Sequence, residues 1–469
     1  MKRLIVILLF ANGAYGQPKP AAGILLDTII CQHDSSQGYA LYLPNRYQSH
    51  QKWPIIFVFD PMARGMHAAK VFTPAAEELG YIVAASNNSR NGSWEIALDA
   101  ADAMFVDALK RFSIDTDRIY TTRFSGGSRV AMGAAVMTKS VRGVIGCGAG
   151  FPDTPGYRPS TGHAFSYVGL VGDRDMNYQE HITVEKELDR IGIKNIRLVF
   201  HGIHQWPPPS QIKTALQWLE LQAQRLGYNT SDNWNALGTY HRLKHRADSL
   251  RKANRLVLAQ QAYVQMLDDF EGKVDLAGIN KLLTDLQKNK DYKKQLKVDQ
   301  RVNQKEKNYQ HKIGEAFTEA IFTKLNVRND SSLKGEDWWH KEVDLLKKMA
   351  KTSQIEKKNM ALRLLNLVWA KFATASFNFT SQGEYDAALL FNKMWLYVEP
   401  GSQWAHWSIA KVYAQKGELQ QAVEHITFVF KNNNNFPLKL ITSEPAFTAL
   451  LKHPRILEII DKNNRNKRP

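Results

Sequence analysis

From Gly38 to about Tyr228 the chain alternates two kinds of apolar pattern. The short, nearly continuous runs GYALYLP, PIIFVFD, YIVAAS, GVIGCGAG, FSYVGLVG and IRLVFHG predict strands of a sheet buried on both faces. A sheet with one wet face would instead alternate apolar and polar positions. Between these runs lie helical stretches at Ala68 to Leu79, Glu95 to Arg111, about Glu180 to Ile191, and Ser210 to Leu226. In the second of them Ile96, Met104, Leu109 and Phe112 fall on or near one face. Strand and helix in regular alternation predict an α/β fold, a doubly wound and mostly parallel sheet covered by helices on both sides.

One stretch carries more than periodicity. Arg118 to Gly127 reads RIYTTRFSGG and is followed by SRVAMGAAVM, a strand, a tight corner and an alanine-rich helix with Ser125 at the corner. This is the layout of a nucleophile elbow, which lifts a serine hydroxyl clear of the sheet and aims the first helical N–H groups at the same point. The pattern Gly-x-Ser-x-Gly departs at its first position, where this chain has Arg123. A long side chain there must either reach the mouth of the site or relax the elbow.

Past Tyr228 the strand-like runs stop. From about His241 to Val368 lysine, leucine, alanine and glutamine recur at helical spacing, as in RLVLAQQAYVQML and HKEVDLLKKMAKT. GEYDAA at Gly383 and GELQQA at Gly417 then repeat thirty-four residues apart. With Ala388 and Pro400 in one unit and Trp407, Ala410, Tyr413 and Ala422 in the next, this resembles a tetratricopeptide unit and a half. Such units bury their faces only by stacking, so the helices upstream are expected to join them in a short solenoid.

Composition changes this picture in three places. At 469 residues the chain is too long for one core. The expected divisions are a leader over 1–16, an α/β domain over 17–228, a helical linker or bundle over 229–336 and a tetratricopeptide-like helical domain over 337–469. In the leader, Lys2 and Arg3 precede the apolar run Leu4 to Phe10 and then small residues, the pattern of a secretory signal, which predicts export. The formal net charge is +17, yet the lysines are spread over every helix with no aromatic interleaving. That excludes a nucleic-acid module and leaves solubility or attraction to an anionic envelope. No later run is long and uncharged enough for a membrane span. Only Cys31 and Cys147 are present, so disulfides are not expected to hold the fold.

In an open sheet of this class the reactive groups sit at the carboxyl ends of the strands. Ser125 follows one strand, Asp173 and Asp175 follow a second, and His201 and His204 follow a third. A serine alcohol needs a base to take its proton, and the base needs a carboxylate to fix its tautomer, so all three roles have occupants. No metal or cofactor is expected, because the histidines do not cluster at ligand spacing.

Residues from about Tyr39 to Trp218 resemble the exported bacterial α/β-hydrolases that are grouped with polyhydroxybutyrate-depolymerase-like, feruloyl-esterase-like and dienelactone-hydrolase-like enzymes. The likeness lies in ALYLP, FDPMARG, FSGGSR, GDRDMNY and GIHQWPPP, in that order. The resemblance implies Ser125 as nucleophile, Asp175 as acid with Asp173 as competitor, and His204 as base. It leaves His201 as a strand-end histidine. It implies an oxyanion hole from the N–H of Gly126 and a second donor in the loop after PIIFVF, where Pro61 has none and Met62 follows. Asp60, Arg64, Arg123 and Trp206 are placed about the pocket, Asp60 as loop anchor in preference to substrate contact. The activity implied is hydrolysis of a small or polysaccharide-linked carboxylic ester through an acyl-enzyme, with a peptide or protein partner for the helical domain. Two other readings stay open at this stage, a non-catalytic interaction protein with a degenerate site and a serine peptidase.

Overall fold

In a computed structural model the chain is described over residues 20–92, 94–125, 128–138, 140–151, 154–325, 333–432 and 436–465. The leader expected over 1–16 and the oxyanion donor Gly126 lie outside the described residues. The strands are β1 Leu25–Ile30, β2 Gly38–Tyr42, β3 Trp53–Phe59, β4 Ile82–Ser86, β5 Ile114–Phe124, β6 Val141–Cys147, β7 Ser166–Gly172 and β8 Asn195–Phe200. They form one sheet in the order β1-β2-β4-β3-β5-β6-β7-β8. β3 runs parallel to β4 and β5, whereas β1 and β2 are antiparallel to their neighbours. Helices α1 Gly65–Leu79, α2 Trp94–Arg111, α3 Ser128–Thr138, α4 Tyr178–Arg190 and α5 Pro209–Arg225 connect or follow the strands. This is the mostly parallel α/β sheet that the alternation of strand and helix predicts, in the α/β-hydrolase order that the resemblance implies.

Two details differ from expectation. β1 was not among the expected strands, because LLDTII breaks its alternation at a register shift between Leu26 and Ile29 and lies at the exposed edge. In α2, Ile96 and Leu109 point to solvent, and the buried face is Ala97, Ala100, Ala101, Met104 and Ala108. Small residues at helical spacing let a helix lie close against a neighbour, and here they outweigh the larger apolar side chains.

The chain divides into two compact units. One holds the described residues up to Gly146 together with Phe151–Val168 and Pro208–Asn235. Its core is β3 and β4, buried along their whole length. Tyr81, Arg118 and Ser231 converge there on the fully buried carboxylate of Glu220. Cys31 is a buried thiol pushed up to about 11 by burial, and no disulfide joins it to Cys147, which is buried in the other unit.

The second unit holds Cys147–Gly150, Gly169–Pro207 and everything from Ala236 onward. It contains β7 from Gly169 onward, all of β8, helix α4, and a run of helices: α6 Ala236–Lys252, α7 Leu256–Phe270, α8 Ala277–Lys288, α9 Lys290–Thr323, α10 Glu336–Met349, α11 Ile355–Ser381, α12 Tyr385–Val398, α13 Gln403–Lys416, α14 Leu419–Asn432, α15 Lys439–Thr442 and α16 Pro454–Arg465. Helices α9 to α13 share one core around Trp339, Phe372, Phe391 and Trp395. α13, α14 and α16 share another around Trp407, Ile426 and Phe447. Gly383 and Gly417, thirty-four residues apart, follow α11 and α13 with φ of 76° and 80°, a conformation that glycine adopts without strain. Ala388, Ala410 and Ala422 are fully buried where the paired helices touch. No described helix is long and apolar enough to cross a membrane.

Candidate active site

In the first unit, β5 ends at Phe124 and Ser125 follows with φ of +60°. A residue with a Cβ enters this left-handed region only when its surroundings impose it, which is the constraint that a nucleophile elbow places on its serine. Ser125 thus keeps the left-handed conformation of an elbow serine with Arg123 two places before it. Arg123 itself does not reach solvent, as one of the two sequence readings required. It is 1% exposed and stands in register with Phe59 of β3. Its Nη2 lies 3.5 Å from Asn91 Oδ1. Burial pulls its pKa down to about 10, with the charge of Asp60 opposing.

The loop after β3 is built around Asp60, whose side chain is fully buried. Asp60 Oδ1 accepts from Arg64 Nε and Oδ2 from Arg64 Nη2, both at 2.9 Å. The same Oδ1 accepts from the Met62 N–H at 2.8 Å. Asp60 is thus the anchor of this loop, and Arg64 is its partner. The expected oxyanion role of Met62 meets an obstacle here, because its N–H is committed to a carboxylate while the residue as a whole is 54% exposed. Gly65 then lets the loop pass against β4, since a Cβ there would lie 2.4 Å from the carbonyl oxygen of Ala85.

In the second unit, the ends of β7 and β8 are drawn together by backbone hydrogen bonds. Asp173 N–H donates to Phe200 O at 2.8 Å and Arg174 N–H to Gly202 O at 2.9 Å. Gly172 makes this approach possible, because a Cβ on it would lie 2.5 Å from the Gly202 oxygen. Asp175 and His204 consequently meet. His204 Nδ1 lies 3.0 Å from each Asp175 carboxylate oxygen. Asp175 is fully buried, and the His204 side chain is 13% exposed. A carboxylate only accepts, so Nδ1 carries the proton and Nε2 is the basic nitrogen. Asn177 N–H also donates to Asp175 Oδ1, at 2.9 Å, and holds the carboxylate in place.

The competing acid and histidine form a pair of their own. His201 Nδ1 lies 3.2 Å from Asp173 Oδ2, but the His201 side chain is 76% exposed. Arg174 and Arg255 also approach the Asp173 carboxylate, at 3.6 and 3.4 Å. Trp206, expected at the pocket wall, is half-buried on the histidine loop.

Solved structures resemble part of this chain. A hyperthermophilic esterase from the archaeon Pyrobaculum calidifontis aligns over 44% of this chain and 87% of its own, at 12% identity and a TM-score of 0.36. S-formylglutathione hydrolase from Staphylococcus aureus aligns over 43% of this chain and 98% of its own, at 14% identity and a TM-score of 0.35. A fluorophosphonate-binding serine hydrolase of the same organism covers 39% and 92%, at 14% identity and a TM-score of 0.31. No protein-family model and no curated protein matches the chain. The fold assignment stands on the strand order and the elbow, and likenesses of this degree decide nothing about activity.

Sequence reasoning missed the residues that brace the acid loop. Arg363 of α11 is buried, and it donates from Nη1 to the Asp173 carbonyl at 2.8 Å. Its Nε and Nη2 grip the two oxygens of Glu306 of α9 at 2.7 and 2.5 Å, and its guanidinium lies 4.4 Å from the Tyr178 ring centre. Asn366, one turn along α11, donates to the Arg174 carbonyl at 2.9 Å. Behind the Asp175 loop, His181 is fully buried, and among the described residues neither ring nitrogen has a hydrogen-bond partner. Burial pulls its pKa down to about 4 against the opposing charge of Asp175. No local signal marks any of these positions, because each partner lies far away in the chain.

Proposed function

We propose that the protein hydrolyses carboxylic esters through an acyl-enzyme formed on Ser125. The observation that carries this reading is the enclosed Asp175–His204 pair, with both carboxylate oxygens on Nδ1 and Nε2 left as the base. The left-handed conformation of Ser125 supports it independently. In this mechanism His204 takes the proton of Ser125 as the hydroxyl oxygen attacks the ester carbonyl, and returns it to the departing alcohol. Water then enters by the same route and releases the acid, while Asp175 stabilises the imidazolium in both halves. Gly126 is assigned as first oxyanion donor from its place after the nucleophile. Met62 is not carried into the mechanism, since its N–H is held by Asp60.

Labelling with a fluorophosphonate tests the reading. The wild-type protein should be modified at Ser125 and the Ser125→Ala variant should not, and an unlabelled wild type would overturn the proposal. A panel of short acyl, feruloyl and peptide substrates then sets ester against amide, with turnover of peptides alone counting against an esterase.

A further inference from the structure

The loop between β4 and α2 carries three asparagines, and their side-chain amides are held very differently. Asn87 Nδ2 donates to the Asp27 carbonyl at 2.9 Å and to Thr28 Oγ1 at 3.2 Å. Asn88 Oδ1 accepts from the Gly38 N–H at 2.8 Å, and its Nδ2 donates to the Ser36 carbonyl at 2.9 Å. Asn91 is exposed, and among the described residues its Nδ2 donates no hydrogen bond. Its main chain is fixed, with the N–H donating to the Pro61 carbonyl at 2.9 Å, and its Oδ1 lies 3.5 Å from Nη2 of buried Arg123.

The residues that follow these asparagines differ in the same way. After Asn88 comes Ser89, which is buried and whose N–H donates to Ser86 Oγ at 3.0 Å. After Asn91 comes Gly92, exposed, with φ of 136° and open space where a Cβ would stand. A peptide nitrogen without a side chain beside it can swing towards the carbon of the preceding amide, and here that amide is loose.

We infer that Asn91 is a site of spontaneous deamidation, which leaves a carboxylate facing Arg123. The Gly92 nitrogen bonds to Asn91 Cγ and gives up its proton, the Cγ–Nδ2 bond breaks, and the side-chain nitrogen departs as ammonia. Water then opens the cyclic imide, either to aspartate or to isoaspartate, which carries one more methylene in the main chain. Water and the chain are the only reactants, and nothing is oxidised or reduced. Arg123 assists at both stages. Its guanidinium stands beside Oδ1, where negative charge gathers as the nitrogen adds. Once the aspartate has formed, the same guanidinium gains a charge-assisted bond. Asp60, whose charge offsets the burial of Arg123, is already gripped by Arg64 through two bonds, so the new carboxylate meets a cation that is only partly compensated.

Ageing the folded full-length protein in warm, mildly alkaline buffer tests this, because trypsin cuts after Arg90 and puts Asn91 on a different peptide from Asn87 and Asn88. The peptide that begins at Asn91 should gain about 1 Da, partly as isoaspartate, while the one ending at Arg90 keeps its mass. Asn91→Gln should abolish the gain, since closing the larger ring is far slower. A folded protein that stays unmodified while the urea-unfolded chain gains the mass, or equal gains on both peptides, overturns the inference. Asn91→Asp reproduces the aspartate directly and should raise the urea midpoint at neutral pH above that of the wild type. A midpoint that is unchanged or lower overturns the pairing with Arg123.

Discussion

Two aspartate–histidine pairs stand at the same strand ends, their aspartates two residues apart and their histidines three, and they are chemically alike and physically opposite. Asp175 is enclosed and gives its carboxylate to one imidazole and one backbone N–H. Asp173 shares its carboxylate among His201, Arg174, Arg255 and the Gly202 N–H, and its histidine stands in water. A carboxylate already neutralised by two guanidinium groups orients an imidazole weakly, and water competes for every bond that imidazole makes. Pairing is therefore common to both sites, and enclosure is what separates them.

The sharpest way to break this contrast is to remove one carboxylate at a time. Asp175→Asn should lower kcat on a 4-nitrophenyl ester by about 10⁴-fold, the loss expected when the wrong tautomer is imposed. Asp173→Asn and His201→Gln should stay within about threefold, since neither touches the reacting groups. Equal losses in Asp175→Asn and Asp173→Asn would erase the distinction.

A second test acts on the brace behind the acid loop. Arg363→Met leaves Glu306 buried without its cation and should destabilise the protein by about 3–5 kcal/mol in urea unfolding. Arg363→Met combined with Glu306→Gln should recover part of that loss, because the stranded charge is gone. If the double variant is no more stable than the single, the pair is not what holds α11 to the acid loop.

Acid provides the smallest effect and addresses only the enclosed side. His181 titrates at about 4 in the folded protein against 6.5 in the unfolded chain. Between those values the unfolded state binds the extra proton, so stability is whole above about pH 6.5 and falls as the pH drops towards 4. The loss is on the order of 3 kcal/mol. His181→Phe should flatten this part of the stability profile, measured as the urea midpoint from pH 7 to 4, while His201→Gln should leave it unchanged.

Much of this was legible along the chain because the signals were local. The buried strands, the serine corner, the acid loop and the histidine loop each occupy a few consecutive residues, and the loop after PIIFVF was recognised with Asp60 as its anchor. What could not be read depends on distant partners. The burial of Arg123 follows from its place opposite Phe59, the commitment of the Met62 N–H follows from the fold of its own loop, and the grip of Arg363 on the acid loop joins residues 190 apart. Edge strand β1 escaped because its register shift disrupts the pattern that marks the other strands.

Arg123 matters for packing as well as for chemistry. Where the usual pattern has a glycine two places before the serine, this chain fills the space at the end of β5. Replacing it with glycine would leave a void in the interior and remove the guanidinium that faces Asn91 and the charge of Asp60. The corner of this chain is therefore braced by bulk from within, at the position where the usual motif relies on having none.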